Sequence, residues 1–110
     1  MKKDDNIFLA HILESIELIE SFLKGKNRNS FDKSRQLQDA VYHRLEIVGE
    51  AANNLSEKFK KENIHVDWSL TIAMRNKLIH EYFGIDKDVV WETVKKDLPQ
   101  LKKEIKKLLK

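Results

Sequence analysis

The sequence predicts an all-α protein, an up-and-down bundle of four main helices plus a short extra helix. The chain of 110 residues contains only three Gly and one Pro, so little material is available for turns. Apolar residues recur at three- and four-residue steps in several segments, which is the helical period. A chain of this length forms one domain, 1–110, and we expect dimerisation to stabilise it further.

The first two helices are indicated by long apolar stripes. Asp4 or Asp5 can cap the first helix, and a loop is predicted over 25–30 from its composition. His11 falls off the first stripe and is expected at the surface. The second helix is predicted over 32–59. The two stripes consist of Phe8, Ile12, Ile16, Ile19 and Leu23, with Leu9 and Leu13 alongside, and then of Leu37, Val41, Leu45, Val48, Ala52, Leu55 and Phe59.

Gly49 lies in the middle of the predicted second helix. Because glycine weakens a helix interior, we expect it to mark the close approach of another helix. Glu46 and Glu50 lie beside it, and solvent exposure is their default interpretation.

The remaining helices are indicated by capping signals. Asp67 or Ser69 can cap a third helix, which would carry three apolar residues into the core, with Trp68 as an anchor. Asp86 can cap a fourth helix, and Asp97 before Leu98-Pro99 indicates the start of a fifth. The three predicted core residues of the third helix are Leu70, Met74 and Leu78.

The positive charge is concentrated in the last helix. The net charge is +3, yet 95–110 contains seven Lys against Asp97 and Glu104, or +5, which leaves −2 for 1–94. Such a helix could contact RNA, but a solvated lysine face is the commoner meaning.

The residue content of the chain excludes several kinds of active site. There is no Cys, which excludes disulfides and thiolate sites and fits a cytoplasmic protein. The four His residues lack zinc-site spacing, and no glycine-rich nucleotide loop occurs. We expect no metal and no cofactor, and neither a signal peptide nor a membrane span.

One segment, 74–84, gathers an arginine, an amide, an imidazole and a phenol. On a helical wheel, Asn76 and His80 share one polar strip, and Arg75 and Tyr82 share another. An apolar ridge runs between the strips; it consists of Ile72, Ile79 and Phe83. Residues of these types near a helix end commonly cap carbonyls or lie in water, so a purely structural role is the alternative.

This set of groups suits metal-free cleavage of RNA. In that reaction the ribose 2′-hydroxyl attacks the neighbouring phosphorus, an imidazole such as His80 moves protons, and a guanidinium such as Arg75 stabilises the developing charge. Asn76 can orient the imidazole or the phosphate. Arg75 and His80 are five positions apart, however, about 140° around a regular helix. Either the helix loosens after Ile79 with Gly84 as its terminator, or a second chain completes a dimer cleft.

The pattern of Arg75, a polar residue, three further positions and then His-x-Tyr resembles HEPN-domain ribonucleases. It is similar in particular to the HepT-like toxins that pair with minimal nucleotidyltransferase antitoxins. The resemblance extends in order through 41–52, 68–86, 90–91 and 97–99. It implies that Arg75 and His80 are the catalytic pair, with Asn76 as the polar residue after the arginine. Tyr82 stands where relatives accept AMP from the nucleotidyltransferase, which silences the toxin.

The resemblance also implies roles for three carboxylates. Glu46 and Glu50 would contact the catalytic side chains rather than the substrate, or would contact a dimer partner. Glu81 departs from the small residue expected at its position, and its carboxylate could favour protonated His80 or repel RNA.

The resulting hypothesis is a cytoplasmic, homodimeric endoribonuclease toxin that acts on RNA. Its main alternative is a non-catalytic helical adaptor that binds a nucleotidyltransferase. A third interpretation, a purely structural dimerisation bundle, would place His80 and Tyr82 in a closed core.

Overall fold

The computed structural model describes residues 3–109, and in that range the chain contains helices but no strand. A 3-10 turn, Tyr82–Gly84, follows the fifth helix, and a π turn, Thr93–Asp97, joins the last two. The predicted all-α class is therefore confirmed. The helices are α1 (Lys3–Leu23), α2 (Arg28–Lys33), α3 (Arg35–Asn54), α4 (Glu57–Glu62), α5 (Trp68–His80), α6 (Lys87–Glu92) and α7 (Leu98–Leu108).

Contacts between distant residues set the up-and-down order of α1, α3 and α5. Asp5, near the start of α1, accepts hydrogen bonds from Ser56, just after the end of α3. Asp39, early in α3, accepts a hydrogen bond from Tyr82, just after the end of α5. Each helix therefore runs antiparallel to the next of the three. Helix α7 is tied to α1 by Lys102, which donates to Glu20 at 2.7 Å.

The core is formed by the stripes that the sequence predicts. Ile12, Ile16 and Ile19 of α1 are fully buried, and so are most of the predicted positions of α3. Trp68 is an anchor, as predicted: it is buried and its Nε1 donates to the carbonyl oxygen of Asn63 at 3.1 Å. Leu70 was predicted in the core but is 42% exposed, since it lines surface clefts together with Thr93 and Asp97.

The predicted long second helix is broken into separate elements. Ser34 caps α3 by accepting from the amide of Leu37, and Ser56 caps α4 by accepting from the amide of Phe59. Serine side chains compete with the helix for these amides, so the chain turns at both positions. The break at Ser56 is further stabilised by the buried carboxylate of Asp5, which accepts from the Ser56 amide and hydroxyl at 2.8 Å each.

Two other predicted boundaries were wrong near the N-terminus. Helix α1 already begins at Lys3, so Asp4 and Asp5 lie inside its first turn and do not cap it. The predicted loop over 25–30 is shorter, because Asn27 caps α2 and accepts from the amide of Ser30 at 2.8 Å.

The predicted fourth and fifth helices, α6 and α7, are joined by the π turn into one continuous helical segment. Asp86 caps α6 as predicted, accepting from the amide of Asp88. Asp97, however, has helical backbone angles and makes no capping hydrogen bond. Pro99 lacks an amide proton and its ring crowds the carbonyl of Lys95, four residues earlier, and the helix widens there into a π turn instead of ending.

Helices α3 and α5 approach each other closely at Gly49. A Cβ on Gly49 would lie 2.7 Å from the carbonyl oxygen of Thr71 and closer still to the Cβ of Arg75. The predicted reason for this glycine is therefore confirmed. Its missing side chain lets α5 lie directly on α3 and places Arg75 against it.

Replacing Gly49 by Ala is expected to destabilise the protein by about 1–3 kcal/mol, because overpacking outweighs the gain in helix propensity. Urea unfolding measures this change. Gly84→Ala is the matched control, since a Cβ there meets nothing within 4 Å. Equal free energies of unfolding for both variants would show that the two helices are not in close contact at Gly49.

Candidate catalytic site

Arg75 is held on the face of α5 that contacts α3. Its side chain is only 26% exposed, and its Nη2 forms an ion pair with Oε2 of Glu50 at 2.6 Å. Its Nη1 donates to Oδ1 of Asn76 at 2.9 Å. Glu50 follows Gly49 directly, so the residue that permits the close approach is adjacent to the residue that binds the guanidinium.

The Nε of Arg75 is buried and has no hydrogen-bond partner among residues 3–109. Leaving a buried donor unpaired costs about 1–3 kcal/mol. Native proteins rarely retain such a group without a reason, and functional sites are one of the reasons. Arg75 is thus held in place at some cost to stability.

His80 is the last residue of α5 and is exposed to solvent. Helix α5 stays regular through His80, so the predicted loosening after Ile79 does not occur. Gly84 does not end the helix either: the amide of Glu81 closes the last turn on the carbonyl of Lys77, and Gly84 belongs to the 3-10 turn that follows. Within the described chain no hydrogen bond joins Arg75 to His80.

Tyr82 is bound to α3 by two residues that the sequence analysis missed. Its hydroxyl donates to Oδ1 of Asp39 at 2.8 Å and accepts from Nη2 of Arg35 at 3.2 Å. Arg35 and Asp39 also form an ion pair at 3.3 Å. Their four-residue spacing was the available signal, but it indicates only a helical ion pair. The connection to Tyr82, 43 residues away, depends on the fold.

Titratable groups around Tyr82 influence one another. Hydrogen bonds to Tyr82 and Asp39 raise the pKa of the Arg35 guanidinium. Burial raises the pKa of the Tyr42 phenol, and the nearby Tyr82 and Asp39 raise it further. Arg35 is therefore cationic and Tyr42 is neutral over the physiological pH range.

The apolar ridge beside the polar strips is open to solvent. Ile79 is 46% exposed and Phe83 is fully exposed. His80 and Tyr82 are exposed as well, so the interpretation that placed both in a closed core was wrong. The surface that carries the motif is free to contact another molecule.

The three predicted carboxylates differ in their contacts. Glu50 binds Arg75, as described above. Glu46 is partly buried, and its side chain makes no hydrogen bond or ion pair with the residues described. Glu81 is exposed at the end of α5 and forms no ion pair with His80 in the same range.

No helix in the described range combines the length and the apolar character needed to cross a membrane.

The chain is similar to proteins that are named as ribonucleases. Residues 12–108 match the family model described as Ribonuclease HepT-like. A relative from Thermococcus cleftensis, named "Probable ribonuclease HepT", is 43% identical over 110 residues, which is the full length of both chains. A "Putative RNase" from Caldanaerobacter subterraneus is 40% identical over 93% of this chain and 91% of its own.

A third relative is longer than this chain. It comes from Methanocaldococcus jannaschii, is named "Gamma-glutamylcyclotransferase and putative RNase", and is 50% identical over 99% of this chain but only 49% of its own length. The chain thus spans about half of that relative. No solved structure matches the chain at a significant level. The family model covers nearly the whole chain, and the chain therefore belongs to the HepT-like ribonuclease family.

Proposed function

We propose that the chain is a cytoplasmic, homodimeric, metal-independent endoribonuclease that acts as the toxin of a toxin–antitoxin pair. The observation that carries this proposal is the fixed, partly buried guanidinium of Arg75 on a helix that ends in the exposed imidazole of His80. Membership of the HepT-like family and the ribonuclease names of full-length relatives support it.

The proposed reaction uses the RNA as its own nucleophile. The 2′-hydroxyl attacks phosphorus and the 5′-oxygen leaves, while His80 removes and returns the protons. Arg75 stabilises the extra negative charge on the phosphorane. Asn76 accepts from Arg75 through its oxygen, which leaves its amide NH₂ to orient a phosphate oxygen.

Glu50 positions Arg75 and also competes with the substrate for it. Arg75 retains donors that a phosphate oxygen can reach, because its side chain is partly exposed. When RNA binds, the phosphate shares or displaces the contact with Glu50. The carboxylate therefore holds the guanidinium ready in the absence of RNA.

A second chain is proposed to complete the site. Arg75 and His80 lie on one regular helix five positions apart, about 140° around its axis, and the exposed ridge of Ile79 and Phe83 lies next to them. A second copy packed on this ridge across a two-fold axis would bring its own His80 towards Arg75. The cleavage site then lies in the cleft between the two copies.

Tyr82 is proposed as the acceptor of AMP from a minimal nucleotidyltransferase antitoxin. The residue is 37% exposed, so part of it is open to a partner enzyme. An AMP group there would add a charged, bulky substituent two residues from His80. It would block RNA from the cleft by charge repulsion and by occupying space.

Replacing His80 or Arg75 by Ala is expected to reduce cleavage of labelled RNA in EDTA by about 100-fold or more, since general acid–base and charge stabilisation each contribute on that scale. His11→Ala is the matched control, because His11 is an exposed histidine on α1. Circular dichroism confirms folding of each variant.

Equal cleavage by the wild type and His80→Ala, or cleavage only after metal is added, would contradict the proposed mechanism. The alternative adaptor function would be favoured if wild-type protein cleaves no RNA while both variants still bind the nucleotidyltransferase.

Co-expression of this chain with a minimal nucleotidyltransferase is expected to raise the intact mass of the chain by one or more AMP groups. Tyr82→Phe should abolish the increase, because it removes the accepting oxygen and keeps the ring. Tyr42→Phe is the control, since Tyr42 is the other tyrosine of the chain and is buried. An unchanged wild-type mass would contradict the proposed modification of Tyr82.

A further inference from the structure

We propose that Asp39 and Arg35 assist the transfer of a nucleotide to Tyr82: Asp39 accepts the phenolic proton and Arg35 binds a phosphate oxygen. This inference rests on the proposed modification of Tyr82. It assigns part of the chemistry to the acceptor chain itself, beyond what the transferring enzyme supplies.

The position of Asp39 suits a proton acceptor. Its Oδ1 lies 2.8 Å from the Tyr82 hydroxyl and receives the hydrogen of that group. Proton transfer requires this contact between the base and the attacking oxygen. Asp39 lies on α3, whereas Tyr82 lies in the turn after α5, so the packing of the two helices aligns the pair.

Arg35 is placed to bind a phosphate group at Tyr82. Its Nη2 lies 3.2 Å from the Tyr82 oxygen, and its Nε contacts Asp39. A guanidinium offers several donors in one plane, and those not used here can bind oxygens of a phosphate at Tyr82. Arg35 is largely exposed, with 71% of its side chain accessible.

A cavity beside Tyr82 provides space for the phosphate. It has a volume of about 170 Å³, and its lining includes Arg35, Tyr82 and Lys87. Lys87 forms no ion pair with any residue in the described range, and it gives the cavity a second positive charge. An incoming nucleotide anion would be attracted to this side of the tyrosine.

The transfer replaces a phosphoanhydride bond of the nucleotide with a phosphodiester bond to Tyr82. The Tyr82 oxygen attacks the α-phosphorus of a nucleoside triphosphate held with its metal ion by the nucleotidyltransferase. The bond between the α-phosphorus and its bridging oxygen breaks, and pyrophosphate leaves. The phenolic proton passes to Asp39 and then to water, and the product is a tyrosyl phosphodiester whose negative charge lies beside Arg35.

A merely structural role for Asp39 makes a different prediction. In that case its contact with Tyr82 serves only to hold the 3-10 turn against α3. An Asn at this position keeps an oxygen that accepts the Tyr82 hydrogen bond but cannot take the proton. Asp39→Asn therefore separates proton transfer from positioning.

The experiment measures the initial rate of mass gain with the purified nucleotidyltransferase, ATP and Mg²⁺. Asp39→Asn is expected to slow the wild-type rate by about 100-fold, the lower end of general-base effects. Asp39→Glu should restore part of the rate. Asp32→Asn is the matched control, because Asp32 pairs with Arg28 at the same four-residue spacing but does not contact Tyr82.

The rates of the Asp39 variants and the mass of the wild type test whether Asp39 takes the proton from Tyr82. A wild-type rate retained in Asp39→Asn would overturn it and leave the modification of Tyr82 intact. An equal loss of rate in Asp39→Asn and Asp39→Glu would also overturn it, in favour of positioning alone. Wild-type protein that gains no mass would overturn the modification and this inference together, while the ribonuclease assay in EDTA judges the cleavage proposal separately.

Discussion

The direct contact between α3 and α5 at Gly49 is the constraint on which the candidate site depends. Because Gly49 has no side chain, the backbone of α5 can lie against α3 at Thr71 and Arg75. The guanidinium then reaches Glu50 on the next position of α3. Any side chain at Gly49 would separate the helices and move the arginine away from its carboxylate partner.

Helix α3 supports both ends of the motif and leaves its middle free. Glu50, late in α3, binds Arg75, and Asp39, early in α3, binds Tyr82. His80 lies between these two attachments and remains exposed. A rigid arginine with an accessible imidazole is what a phosphodiester substrate requires, since the cation must be preorganised while the acid–base group needs access to the reacting oxygens.

The sequence predicted features that depend on local periodicity and on residue size. The buried stripes of α1 and α3, the caps Asp67 and Asp86, and the close approach at Gly49 are all confirmed. Helix boundaries were harder to predict, because Ser34 and Ser56 interrupt an apolar pattern that continues across them. Helix α7 begins at Leu98 with Pro99 in its first turn, as predicted, but Asp97 does not cap it, because a π turn precedes it and Asp97 has helical backbone angles. The partners of Tyr82 could not be predicted, since Arg35 and Asp39 meet it only after α3 and α5 have packed together.

The central claim is that Arg75 of one chain acts with His80 of another. The most direct measurement is RNA cleavage by an equimolar mixture of Arg75→Ala and His80→Ala after subunit exchange. Half of the dimers then carry both variants, and each of these has one intact composite site. A composite site recovers about a quarter of wild-type activity in this mixture of two nearly inactive proteins. A mixture no more active than its components would contradict it.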